Sequence, residues 1–600
     1  MLTKAALGVA WLFVEPRVGD VGAEKLGNGG ACVPRQQQYS SINSQGAQLS
    51  AEGNALLHAK NNINLGFATD SHSQTAEGYR SGFAIDNRDH LSPAGVYHDK
   101  NQGAGALDKA TGTLLSVGGQ STLQTDSGNI NILGSTVVAG GDNLINAARH
   151  VNIRSTQNSR SQSEQSHNQG IGSAQISDTE RFDGYMSHKS HNSGNQVEQI
   201  KSQIGSLSGD VRIQAGGNYT QQVADINAGQ NISIDAQRID ILADHNRGAS
   251  HQSEKDLKVG QFSKISSPLI DLVNALDGAV NNKADGRTQA LQGMAAAAQG
   301  YQVYSAVANG GALFKAETGT GFKTSKSQQD SRYAQSQSNA LNAGGNISLT
   351  SREGDIRAQH SQIKAGDTIA LNSAKDIILE SGQSQQQADG KNSNAGLSVG
   401  MGVSVGAQTG VYVYGEAGWG SGKNHLDANT HSNTTLQSDK LVLNSKGDTT
   451  LKGATASANR IDADIGGKLY IESLQDQVAQ SSSQTGAGVR VQVSLGTAWE
   501  VGGNYSSDKT SGSLSAVNQQ SGLFAGDGGY HINADSVHLK GGAIASTAAK
   551  EHNQLTTNQL SFEDIRNHSN YSASSVALAG SYGSNSAGQN TDNAAFQDTK

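Results

Sequence analysis

Ala228-Gly229-Gln230-Asn231 runs directly into Ile232-Ser233-Ile234, and Ala343-Gly344-Gly345-Asn346 runs into Ile347-Ser348-Leu349. Each is a tight corner followed by an apolar-polar-apolar strand. Related phrases stand at Ala139-Gly140-Gly141-Asp142-Asn143, Ala215-Gly216-Gly217-Asn218 and, more loosely, Ala365-Gly366-Asp367. A corner and a strand repeated along a chain mean a stacked solenoid. Alternation of period two places the Ile, Val and Leu side chains on one face. Glycine and Asn or Asp suit the corners because they accept positive φ cheaply. Corresponding positions such as Ile347 and Ile369 recur every 20 to 22 residues. That is one coil of a β-helix, and a ladder of 40 residues is about two coils rising about 4.8 Å each.

Composition agrees. Of 600 residues, 74 are glycine and 4 are proline; hydrophobic residues make up 35% and charged residues 16%. A compact globule ordinarily needs more apolar residues, whereas a thin coil buries only every second side chain. A disordered chain is ordinarily richer in charge or proline. The net charge of −8 is thinly spread, and no local Lys/Arg cluster occurs along the sequence, which argues against nucleic acid and heparin-like partners. Cys32 is the single cysteine, so no internal disulfide or cysteine zinc site is expected. No apolar run approaches about 18 residues, so no transmembrane helix is expected. The apolar run Ala5 to Val14 is followed by Glu15-Pro16-Arg17, without a small-x-small cleavage site. It reads as an arbitrary start rather than a signal.

The expected fold is all-β: a right-handed parallel β-helix with glycine-rich strand and loop insertions and one helical hairpin. The expected division is an atypical segment at 1–45, a ladder at 46–156, a polar loop insertion at 157–205 and a ladder at 206–244. An insertion with the helical hairpin follows at 245–340, then a ladder at 341–381 and a glycine-rich strand insertion at 382–435. A further ladder at 436–476, a second glycine-rich insertion at 477–526, and a terminal ladder with a polar tail at 527–600 complete it. The hairpin is read from Leu269, Leu272, Val273, Leu276 and Val280, then Leu291, Met294, Ala295, Ala298 and Tyr301, broken at Asp285-Gly286. Glycine alternating with valine, as in Leu397 to Val405 and Val489 to Val493, suggests flat ribbons able to lie against another sheet.

Several stretches together resemble a known family. They are Thr430-His431-Ser432-Asn433-Thr434, Gly447-Asp448-Thr449-Thr450-Leu451-Lys452-Gly453-Ala454, Gly466-Gly467-Lys468-Leu469, and Ile471-Glu472-Ser473-Leu474-Gln475-Asp476. They resemble the haemagglutinin repeat of filamentous haemagglutinins and of the large CdiA-type contact-dependent inhibition proteins. Asp285 to Gln292 and Gly321 to Ser327 resemble the inter-repeat region of that family. The resemblance covers roughly residues 45 to 590. It implies a giant Gram-negative exoprotein exported by two-partner secretion through an outer-membrane transporter, forming a β-helical filament that binds a receptor on host or neighbouring cells. In the inhibition subfamily the filament carries a C-terminal toxin. Neither an Asn-Pro-Asn secretion motif nor a Val-Glu-Asn-Asn toxin boundary occurs, so the chain resembles an interior or late-repeat shaft segment.

Candidate chemistry is sparse. Gly396-Leu397-Ser398-Val399-Gly400 and Gly402-Val403-Ser404-Val405-Gly406 match a hydrolase pattern, but that chemistry needs a strand-to-helix elbow, absent from an alternating ribbon. His188 and His191 lack nearby cysteines or paired carboxylates, so metal binding is not expected. Gly526-Asp527-Gly528-Gly529 is one copy of a turn that calcium rolls repeat many times. A β-helical polysaccharide lyase would need Asp, Lys and Arg clustered on adjacent coils, whereas Asp240, Asp355 and Asp376 read as scattered. Outward Asn, Ser and Thr are expected to stack on themselves. The sequence therefore names no catalytic, cofactor-binding or metal residue and no cofactor. It points to a structural, adhesive shaft, with a toxin carrier as the alternative and a lyase as a remote one.

Overall fold

A computed structural model describes residues 40–85, 94–177, 179–266, 312–406, 410–494, 498–584 and 590–599. Among them the strands form two systems. The first is parallel. Ala224–Ala228, Ile232–Ala236 and Ile239–Leu242 make the three sides of one coil. Asn339–Ala343, Ile347–Ser351 and Ile356–Gln359 stack on them in register, and Ser361–Ala365, Thr368–Ser373 and Ile377–Glu380 stack on those. This is the expected β-helix, and Ile347 does sit on Ile369.

Inward residues form one continuous core. Leu123, Ile145, Ile213, Ile234, Leu349, Leu371 and Leu443 lie over one another and are at most 1% exposed. Each fully buried Ile or Leu contributes roughly 1.5–3 kcal/mol relative to exposure. Outward asparagines form the expected ladders. Asn152 Nδ2 donates to Asn131 Oδ1 at 2.8 Å, Asn131 to Asn64 at 2.7 Å and Asn64 to Asn43 at 2.6 Å.

The corner glycines are needed for a reason other than the expected one. None of Gly140, Gly229, Gly344 and Gly366 has positive φ. Instead, a Cβ on Gly366 would collide with the carbonyl of Gly344, and one on Gly344 with that of Gly229. The corners stack so closely that the coil below leaves no space. The Asn that follows reaches the next coil: Asn231 Oδ1 accepts from Asn346 N at 2.8 Å.

The second system is antiparallel. Hairpins leave the solenoid after Ile63–Leu65, Val151–Arg154, Ile239–Leu242, Ile377–Glu380 and the strand ending at Glu472, always at the same corner of the coil. Their strand pairs are Ile63–Ala84 with Ala94–Gly112, Thr156–Ser177 with Glu180–Ile200, Asp244–Ser266 with Ala312–Gln337, Gly382–Gly406 with Gly410–Ser432, and Gln475–Ser494 with Trp499–Val517. A sixth, His568–Ser584 with Asn590–Thr599, follows the last described coil. Each hairpin also pairs edge to edge with the next, so twelve strands make one continuous sheet alongside the solenoid.

Geometry explains the alternation. Residues stacked across a plain coil are 20 to 23 apart, as Ile130 and Val151 or Val537 and Leu560. Across a coil with a hairpin they are 66 to 117 apart, as Ala55 and Ser121 or Ile239 and Ile356. Plain and inserted coils alternate along the stack. Two coils rise about 9.6 Å, and a two-stranded hairpin is about 9.6 Å wide. One hairpin per two coils therefore closes the outer sheet without gaps or crowding.

Two expectations need correction. The segment 157–205, read as a polar loop, is a pair of strands of 22 and 21 residues. It lacks an apolar period because most of its length meets solvent or polar neighbours, and only Ala174, Phe182 and Met186 near the hairpin end are buried in an apolar cluster. The glycine-valine ribbons at 382–435 and 477–526 do not lie face to face on another sheet; they join its edge. Most of the expected helical hairpin, residues 267–311, falls outside the described residues. Its flanks, Phe262 to Ser266 and Ala312 to Lys315, are strand.

Candidate interaction face of the antiparallel sheet

Because side chains alternate across a strand, pairing brings distant residues into rows. Tyr185, Val259, Phe322, Leu397, Ala417 and Val489 lie opposite one another on successive strands. Beside them run Met401, Val413, Val493 and Trp499. Val399 is 61% exposed and Val413 51%. The distal part of this face, toward the hairpin ends, is an exposed apolar surface of the kind that marks contact with a partner.

The reverse face is locked. Tyr412 and Phe182 are fully buried there, and Phe182 packs on Phe262 with ring centroids 5.0 Å apart. Tyr412 Oη donates to Glu317 at 2.6 Å, and Arg490 joins Glu317 to Glu416, 2.9 Å from the latter. Burial, then the neighbouring Glu317, pushes the Tyr412 phenol far above its usual range. The cluster of Tyr412, Glu317, Glu416 and Arg490 ties three strands from three hairpins, a structural role.

The candidates read from sequence fall as follows. Ser398 and Ser404 both belong to the strand Gly382–Gly406, Ser404 two residues from its end, and Ser398 Oγ donates to Glu416 at 2.9 Å. His188 and His191 are three apart in one strand and so point to opposite faces. His188 Nδ1 lies 2.7 Å from Asp256, and His191 packs against the His251 ring. Among the described residues no three His, Cys, Asp or Glu side chains converge as a metal requires. Asp527 accepts from Thr547 at 2.9 Å at a corner of the solenoid. The three aspartates read as scattered are on neighbouring coils: Arg238 spans Asp240 and Asp355 at 3.1 and 3.8 Å. Asp376 N donates to Asp355 at 3.3 Å, and Asp376 accepts from Asp448 N at 2.8 Å. Asp355 and Asp376 cap corner backbone groups, whereas Asp240 lies within a strand and pairs with Arg238.

Sequence reasoning missed the alignment of lysines. No run of basic residues exists along the chain, yet Lys100, His167, Lys189, Lys255 and Lys326 stand opposite one another on consecutive strands. The signal was a lysine recurring at a similar distance from the base of each insertion, visible only once the hairpins were paired.

A core of stacked coils carrying a hairpin sheet defines a repeat solenoid. The hemagglutinin repeat model matches residues 95–255 and 320–485, more than half the chain, and the chain belongs to that family. Among curated proteins it is 33% identical over 476 residues to a Yersinia pestis protein named toxin CdiA, covering 76% of this chain and 14% of that one. It is 32% identical over 479 residues to a deoxyribonuclease CdiA of Yersinia pseudotuberculosis, covering 76% and 44%. It is 32% identical over 503 residues to a tRNA nuclease CdiA of Escherichia coli, covering 79% and 15%. The chain thus spans less than half the length of each. No solved structure matches it. No helix among the described residues is long and apolar enough to cross a membrane.

Proposed function

We propose that this chain is a length of shaft in a large, secreted surface filament of a Gram-negative bacterium, exported by two-partner secretion through an outer-membrane transporter. The observation that carries this reading is the unbroken core running through every described coil, which makes a rod and leaves its surface for contact. The rod holds a cell-binding or toxic end away from the producing cell. A second reading, carriage of a contact-dependent growth inhibition toxin, is favoured by the relatives' names, toxin and nuclease; the receptor would lie on a neighbouring bacterium. Neither reading gives this segment catalysis of its own.

The test removes one repeat unit from the full-length protein. Joining Arg154 to Ala243 deletes one hairpin and two coils in register. The shaft reading expects surface display and killing of non-immune siblings to persist on a rod shorter by about 9.6 Å. Normal display with abolished killing would show that the excised unit carries a specific activity, against the shaft reading. Killing unchanged by loss of the distal end would count against the carrier reading.

A further inference from the structure

The exposed face of the outer sheet carries a line of cations that no strand-level logic requires. Lys100, His167, Lys189, Lys255 and Lys326 occupy one row. The line then steps by one residue pair, to Lys391 opposite Lys423. It continues through Ser483 to Lys509. All point to the same side as Leu397 and Val413, by strict alternation along each strand. Successive positions are about 4.8 Å apart, so the line is about 38 Å long.

Like charges directly opposite one another destabilise a sheet, and here Lys189–Lys255–Lys326 and Lys391–Lys423 are such pairs. Among the described residues no carboxylate lies within 4.0 Å of Lys189, Lys255, Lys326, Lys391, Lys423 or Lys509. Lys100 alone has one, Glu77 at 3.7 Å. The carboxylates of the next row are engaged by histidine: Asp330 with His251 at 2.6 Å, and Asp389 with His425 at 2.7 Å. The field is felt within the row, since His167 is held below its usual pKa by burial first and then by Lys189. At one end the line enters a concavity of about 1040 Å³ lined by Lys391, Lys423, Lys509, His425 and Ser483, with Asp389 as its one carboxylate.

We propose that this line is a binding track for a linear acidic glycan carrying one carboxylate per sugar, laid across the strands. A compact anion would need two lysines, whereas a row this long matches a polymer with regularly spaced charge. An extended sugar chain repeats at close to the strand spacing. The rows between and beside the lysines supply Ser253, Gln328, Ser393 and Ser421, groups suited to sugar hydroxyls. Nucleic acid is the poorer match. The line holds no arginine for bidentate phosphate contact, and no aromatic ring lies in it between Lys189 and Lys509 for bases to stack on.

The test uses the 600-residue chain with polygalacturonate oligomers as probe, and neutral dextran and oligothymidylate as the other arms. Polygalacturonate is expected to bind at low ionic strength, weakening with salt as exposed charges are screened, while dextran does not bind. Changing Lys255, Lys326, Lys391 and Lys423 together to Thr, a good strand former, is expected to weaken binding at least tenfold with unchanged thermal unfolding. The four Lys→Arg changes should retain it, and Lys60→Thr with Lys364→Thr, away from the line, should leave it intact. Failure to bind polygalacturonate, equal binding by the Thr variant, or tighter binding of oligothymidylate would each overturn the proposal. None of these results bears on whether the chain is a shaft.

Discussion

Gly46, Gly134, Val223, His360, Gly453 and Gly541 occupy one position in the solenoid, the corner that a plain coil turns without a hairpin. All six have positive φ, from 42 to 66 degrees, with Val223 at 50 and His360 at 42. Four are glycine, as the left-handed region favours. Val223 is β-branched and fully buried, so packing outweighs the backbone cost there. His360 is anchored by Ser336 at 2.8 Å. Gly453 has φ +66, and a Cβ on it would lie 2.6 Å from the Ser381 Cβ. Gly453→Ala is therefore expected to cost about 1–3 kcal/mol, read as a lower midpoint in urea unfolding; an unchanged midpoint would refute the assigned conformation. A second residue-scale effect concerns His188 and Asp256. Their hydrogen bond raises the imidazole above its usual 6.5 against the opposing effect of burial, and lowers the carboxyl below 3.8. A raised folded pKa means that His188 contributes fully below pH 6.5 and that its share fades as pH rises through the folded value. Asp256 contributes fully above its unfolded value and loses its share as pH falls. The pair is thus strongest between about pH 4 and 6.5. His188→Ala is expected to cost about 1–2 kcal/mol at pH 6 and less at pH 8.5, measured by denaturant titration. Equal costs at both pH values would contradict the ion pair.

At the scale of elements, the solenoid strands were legible because one face is buried. Ile232-Ser233-Ile234 and Ile347-Ser348-Leu349 alternate as a half-buried strand must, and their spacing gave the coil. The Ser- and Gln-rich hairpin strands were not legible for the same reason in reverse, whereas the glycine-valine stretches at Leu397 to Val405 and Val489 to Val493 were read as strands. Gln157 to Gln169 has no apolar period, and its partners in the neighbouring hairpins are dozens of residues away. The corner glycines were recognised, but their cause lies in the coil beneath, which sequence does not display. Pairing between hairpins also makes them interdependent. Replacing Gly382–Ser432 by a single glycine would leave an opening between Ala312–Gln337 and Gln475–Ser494, the strands that flank it. Two long unpaired edges are templates for association. The variant is expected to keep its far-ultraviolet strand signal and to form dimers and larger species at micromolar concentration in sedimentation. A monodisperse monomer would show that the hairpins do not depend on each other for edge protection.

At the scale of the whole molecule, the parallel stack sets the pitch and the antiparallel sheet reads it out. Side chains from residues 100 to 509 come into line on one surface only because each hairpin is two coils from the next. The interaction face is therefore a property of the register and not of any segment, which is why a cation line exists in a chain with no basic cluster. A solenoid of this kind is thin enough to fold from a composition of 35% hydrophobic residues, since each coil shares its core with its neighbours.

The central claim, that hairpins from alternate coils join edge to edge, is tested most directly by a cysteine pair across that seam. Ser327 and Asn392 lie opposite one another on strands of different hairpins. In a Cys32→Ser background, Ser327→Cys with Asn392→Cys is expected to cross-link within one chain with a short bismaleimide, while Ser327→Cys with Ser404→Cys does not. Equal cross-linking of the two pairs, or cross-links found only between chains, would contradict the shared sheet.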